Sequence, residues 1–126
     1  MTPRLAISTA ALLMAVAVAL GAFGAHALKA RLAPDLLSVW QTGVTHHAWH
    51  ALALLATGLL MLHFPDAVPF RSTAWLFVAG IVLFSGSLYA LALGASSRAG
   101  YVTPFGGIAF IAGWLILAYG IARQLR

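Results

Sequence analysis

Four stretches of this 126-residue chain, 5–25, 43–64, 73–94 and 105–122, contain no Lys, Arg, Asp or Glu. Each is close to the roughly 20 apolar residues an α-helix needs to cross the hydrocarbon core of a bilayer. No water is at hand there for backbone N–H and C=O groups, so a crossing segment must satisfy them internally, as a helix does. The basic residues Arg4, Lys29, Arg31, Arg71, Arg98, Arg123 and Arg126 all fall outside the four stretches. Only 7% of the residues are charged, against about a quarter in a soluble domain, so the chain cannot coat a water-facing surface. Strand-like alternation is absent, which argues against a barrel. The expectation is a single all-α transmembrane domain over residues 1–126, an integral membrane four-helix bundle.

The connections and their charges refine this. The net charge of +5 is spread singly around apolar spans, a pattern that suits anionic lipid headgroups and not nucleic acid. With no cysteine, disulfides, thiolate metal sites and a Cys nucleophile are excluded. The first stretch has the basic start and the Ala25-His26-Ala27 ending of a signal peptide, but its apolar run is long for a signal core, so a retained helix is expected. In the long first connection, "APDLLSVWQTG" reads as a short amphipathic interfacial helix between helices 1 and 2, able to run on into the second span. Trp40, Trp75, Tyr101 and Tyr119 suit the membrane interface, whereas Trp49 and Trp114 lie within spans and need partners for their indole N–H groups. Four spans put both termini on the side carrying Arg4, Arg71, Arg123 and Arg126, against Lys29, Arg31 and Arg98 opposite. The positive-inside rule then places the termini in the cytoplasm, in a bacterial inner membrane.

Small residues recur every seven positions: Gly80, Ser87 and Gly94 in the third span, Gly106, Gly113 and Gly120 in the fourth, Ala51 and Gly58 in the second. Seven residues make nearly two turns, so each set lines one helix face where backbones can approach. Such faces suit helix packing within the chain. They also suit a homo-oligomer or a larger membrane complex, and a non-enzymatic, self-associating or accessory membrane component is the leading functional expectation.

The second span raises the chemical question. It carries His46, His47 and His50 within its first two turns. These three are candidate metal ligands, since imidazole nitrogens one turn apart can chelate. A stable site needs three or four ligands, and no carboxylate lies in any span to complete one. The competing reading puts His46 and His47 near the interface, with His50 bonded across the bundle to Ser85, Ser87, Tyr89 or a backbone carbonyl. His47, His50, Leu54, Thr57 and Met61 then form an inward, slightly polar stripe passing near Gly58. A polar cavity of His26, His50, Ser85, Ser87 and Tyr89 is the alternative functional site, for a proton, a metal ion or an amphipathic small molecule. Asp35 and Asp66 both sit in connections and Gly-x-Ser-x-Gly is absent. No acid can orient a histidine toward a serine, so no enzyme activity and no cofactor are expected.

"ALGAFGAHALK", "WQTGV...HALALL", "LFSGSLYALAL" and "VTPFGGIAFIAGW" follow one another through the four spans. In this order they resemble the domain-of-unknown-function 423 family, small integral membrane proteins with no established activity. The resemblance implies an uncleaved first helix and four helices. It also carries over a pattern comprising His26, Trp40, Thr42, Gly43, His50, Ser85, Gly86, Ser87, Tyr89, Thr103, Pro104, Gly106, Gly107, Gly113 and Trp114. His46-His47 departs from it, because family members often have Tyr-Gln there. A shared function therefore points to His26 and His50 more than to a three-histidine cluster.

Overall fold

The computed structural model describes residues 1–125, and Arg126 of the basic tail lies outside the described residues. Every regular element is helical. Helix α1 (Pro3–Phe23) opens where the Thr2 hydroxyl accepts the Leu5 N–H at 3.2 Å, and Pro3 occupies a first-turn position where its missing N–H costs nothing. It continues through a π-helical turn, Gly24–Leu28. Helix α2 (Pro34–His63) starts at Pro34, with Asp35 placed favourably for the helix dipole. Helix α3 (Val68–Gly80), a π-helical turn (Ile81–Ser85) and helix α4 (Gly86–Ala92) form one third rod. A 3-10 turn (Ser97–Tyr101) leads into α5 (Thr103–Gln124), again with Pro in the first turn.

Three expectations need correction. There is no separate interfacial helix, because "PDLLSVWQTG" forms the first turns of an unbroken α2. Trp40 in that stretch is not an interfacial anchor: it is 2% exposed and its indole N–H donates to the Leu20 carbonyl at 3.0 Å. Gly24 makes this possible, since a Cβ there would stand 2.6 Å from Trp40 Nε1. Trp75, Tyr101 and Tyr119 are exposed. Gly94 is likewise not a packing residue. It sits beyond the end of α4 with φ +94° and no atom near a Cβ position. The Ala95 N–H bonds the Ala90 carbonyl at 2.9 Å and the Gly94 N–H bonds that of Leu91 at 3.1 Å. This is a Schellman stop, for which a residue without a Cβ is favoured.

The helices pack in chain order: α1 on α2, α2 on the third rod, and the third rod on α5. The last interface is a ladder. Phe70, Phe77 and Phe84, seven apart, lie against Gly120, Gly113 and Gly106, while Phe110 of α5 lies against Gly80. Each step of seven along the third rod is met by a step of seven back along α5, a constant antiparallel register. A flat ring fills the space a side chain would occupy, the close approach on which packing in lipid depends. On the other side, Gly58 of α2 admits Ile7 and Ala6 of α1. The stripe His47, His50, Leu54, Thr57, Gly58 and Met61 is buried.

Three rods, Pro3–Leu28, Val68–Ala92 and Ser97–Gln124, are long and apolar enough to cross a membrane. Helix α2 is longer, at 30 residues, but its four histidines lower its hydropathy and it is not among them. Outward faces carry large apolar side chains, such as Leu12 on α1 and Ile108, Ile111 and Leu115 on α5.

Candidate membrane-facing cleft

The three clustered imidazoles of α2, His46, His47 and His50, part company on the helix. His46 and His50, one turn apart, stack toward α5 with ring centroids at 6.0 Å and planes at 11°. His47 turns toward α4, where its Nδ1 lies 3.0 Å from the Tyr89 hydroxyl. The π-helical turn leaves Ser85 fully buried, donating to the Gly43 carbonyl at 2.8 Å. Ser87 donates to the Phe84 carbonyl at 2.9 Å and meets the Thr103 hydroxyl at 2.6 Å. Its single proton is committed to the carbonyl, so Thr103 supplies the proton of the second bond.

His50 is the most constrained of the set. Its Nδ1 lies 2.7 Å from the His46 carbonyl, and the Trp114 indole N–H points at its Nε2 from 3.1 Å. A carbonyl only accepts and an indole N–H only donates. The two bonds together therefore require the neutral ring with its proton on Nδ1. Phe110 stacks on the same ring at 3.4 Å with planes 10° apart. The cross-helix partner of His50 is thus Trp114, in place of the serines and the tyrosine expected from sequence.

These placements divide the expected polar cavity. Tyr89 faces His47, Ser85 faces Gly43 and Ser87 faces Thr103, while His26 is exposed in the π-helical turn after α1. Among the described residues no three His, Asp or Glu side chains are positioned to hold a metal ion. The reason is angular, since His47 lies on a different face of α2 from His46 and His50.

What the fold forms instead is an open cleft of about 350 Å³ between α2 and α5, lined by His46, Trp49, His50, Phe84, Gly107, Phe110, Ile111 and Trp114. Trp49, whose indole N–H was expected to find a partner in the bundle, stands 59% exposed at its rim. A smaller polar hollow of about 230 Å³, lined by Ser38, Gln41, Thr42, Thr45 and His46, adjoins it along α2. His46 belongs to both. Its Nδ1 is buried without a hydrogen-bond partner, as is His47 Nε2. Sequence reasoning passed over Phe84, Phe110 and Ile111, and reached Gly107 only through the family resemblance. The signal for them was aromatic and apolar residues at helical spacing on two spans, 46/49/50 against 107/110/111/114.

An all-helical chain with three rods able to cross a bilayer, outward faces of Leu and Ile, and polar groups turned inward is a polytopic membrane protein in its physical class. Comparison with known proteins places it more closely. The family model described as "Protein of unknown function (DUF423)" matches residues 20–107, and the chain belongs to that family. It is 43% identical over 110 residues to the UPF0382 membrane protein YwdK of Bacillus subtilis (strain 168), covering 87% of this chain and 89% of that one. It is 40% identical over 126 residues to the UPF0382 inner membrane protein YgdD of Escherichia coli (strain K12), covering 100% and 95%. A UPF0382 membrane protein of Haemophilus influenzae (strain ATCC 51907 / DSM 11121 / KW20 / Rd) is 46% identical over 103 residues, 82% of each chain. No solved structure matches. The chain is thus a membrane protein of a family whose function is unknown.

Proposed function

We propose that this protein crosses a bacterial inner membrane four times, with both termini in the cytoplasm, and binds an amphipathic small molecule from the lipid phase without catalysing a reaction. The observation that carries the binding reading is the cleft between α2 and α5. It is a concave, largely apolar site beside two imidazoles, with a volume of about 350 Å³ that lies within the ~300–1,000 Å³ range of small-molecule sites. The four-span reading rests on α2, whose His47 and His50 are buried among the other helices and so need not face lipid. Its first turns, at Leu36 to Val39, are then the part closest to the headgroups.

Extraction of the full chain in mild detergent, followed by mass spectrometry of co-purifying lipids, tests the binding. The expected result is an enriched small amphiphile in the wild type that is lost when Ile111→Trp fills the cleft. Identical extracts from both proteins refute it. Cysteines at Ser97 and Gln124 test the topology, and labelling of Gln124→Cys from outside intact cells reverses it.

Self-association, alone or within a larger complex, is the second reading. The glycine faces that suggested it are occupied by phenylalanine rings of the same chain. Its support is therefore the outward apolar residues of α1, including Leu12, Val16 and Val18. A particle of single-chain protein mass, 13.2 kDa, with no co-purifying protein refutes it.

A further inference from the structure

The two hollows along α2 differ in chemistry and share His46 as a wall. From this we infer that the cleft receives the head of a membrane-soluble quinone, a neutral planar ring with carbonyl acceptors on an apolar tail. This inference rests on the amphiphile-binding reading above and names its ligand class.

Three properties of the site select that class. The first is flatness. Trp49 and Trp114 stand 59% and 47% exposed at the cleft, offering indole surfaces on which a planar ring stacks. The second is neutrality. No Lys, Arg, Asp or Glu lines either hollow, so a phosphate or carboxylate head would meet no countercharge, whereas an uncharged ring leaves nothing unpaired. The third is an available hydrogen bond. His50 has both ring nitrogens engaged, and His47 is held at Tyr89 away from the cleft. His46 alone lines both hollows; its Nδ1 is buried within the protein, so Nε2, which has no hydrogen bond to the protein, is the ring nitrogen left for a ligand. A neutral imidazole carries one N–H donor, which suits a carbonyl acceptor. The volume suffices for a ring and the start of a tail, and the open side leaves the remainder of the tail in lipid.

The test uses the full chain in dodecyl maltoside micelles, titrated with a short-tailed benzoquinone and, separately, with monoolein. Quinone binding is read as quenching of tryptophan fluorescence, and both ligands are followed by native mass spectrometry. Saturable quenching by quinone is expected in the wild type. His46→Ala should weaken it at least tenfold, and His46→Gln, which keeps an N–H donor, should recover part of the loss. Gly107→Leu should abolish saturation by filling the cleft. A Cβ at Gly107 approaches only Phe84, at 3.8 Å, so the backbone tolerates the change, and the thermal transition checks that the variant folds. Should it not fold, Ile111→Trp fills the same space from a position 64% exposed. Quenching that rises linearly with micellar quinone and is equal in all variants overturns the inference. Saturable monoolein binding that depends on Gly107, with no quinone binding, overturns the ring assignment and leaves the amphiphile cleft standing. Failure of both ligands to bind saturably overturns both.

Discussion

Adjacent glycines in α5 should respond to the same substitution with opposite signs. A Cβ at Gly106 would overlap the Phe84 backbone nitrogen and lie 2.8 Å from Phe84 Cα. No rotamer change can move a backbone, so α5 would have to withdraw from the third rod. Overpacking costs about 1–3 kcal/mol, and contact with a backbone in a helix pair places Gly106→Ala toward the upper end. Replacing a glycine within a helix by alanine returns at most about 0.5–1 kcal/mol of propensity, so the net loss is about 2 kcal/mol. At Gly107 the new methyl meets only the Phe84 ring, at 3.8 Å, an ordinary van der Waals distance. Gly107→Ala should therefore gain about 0.5 kcal/mol from propensity. The difference of about 2.5 kcal/mol corresponds to roughly sixtyfold between the two unfolding equilibria. Reversible unfolding in mixed micelles with increasing dodecyl sulfate, read by circular dichroism and tryptophan emission, measures both. Two variants within about 0.5 kcal/mol of each other, the scatter of ordinary surface substitutions, would refute the glycine–phenylalanine ladder as the source of the interface.

Three further outcomes follow from single contacts. His50→Leu removes the acceptor of the Trp114 indole and should cost about 1–2 kcal/mol, with an upfield shift of the Trp114 Nε1–H resonance in a proton–nitrogen correlation spectrum. Trp40→Phe loses the bond to the Leu20 carbonyl but keeps an aromatic body beside Gly24, so it should cost about 1 kcal/mol, and Trp40→Ala about 3–5 kcal/mol, both by the same unfolding assay. Gly94→Ala, forced into φ +94°, should lose about 1 kcal/mol, whereas Gly86→Ala, with no atom within 4 Å of the added methyl, should gain up to about 1 kcal/mol.

The helices were legible because lipid imposes a coarse rule. A run of about 20 residues without charge is read directly, and Pro3, Pro34 and Pro104 mark helix starts by a local mechanism. The buried stripe of α2 was legible by its period. Positions that depend on the pairing of helices were not. Trp40 looked interfacial because it lies near the start of an apolar run, and only the void at Gly24 beneath it makes it a core residue. Gly94 shares the heptad of Gly80, but the rod ends before reaching it and the glycine serves the turn. The π-helical turn at Ile81–Ser85 has no proline or other local cause, so nothing in composition announces it. The histidines illustrate the same divide. Their spacing showed that two could share a face, while the identity of the partner, Trp114 on the last helix, depended on the register of α2 against α5.

The placement of α2 resolves an apparent conflict between its composition and its surroundings. Alone it is the poorest of the four rods for a bilayer, since an imidazole facing hydrocarbon finds no hydrogen bond. In the fold it lies between α1 and the third rod, so His47, His50 and Thr57 turn toward protein. The third rod and α5 supply specific complements: Tyr89 of α4 to His47, Trp114 of α5 to His50, and Ser85 of the π-helical turn to the Gly43 carbonyl. The ladder of Phe70, Phe77 and Phe84 fixes the third rod against α5. That register in turn sets Trp114 at the height of His50 and opens the cleft beside His46. The glycines and the histidines, which look independent in sequence, are therefore parts of one arrangement: close approach at one interface determines where the donors meet the imidazoles at the next.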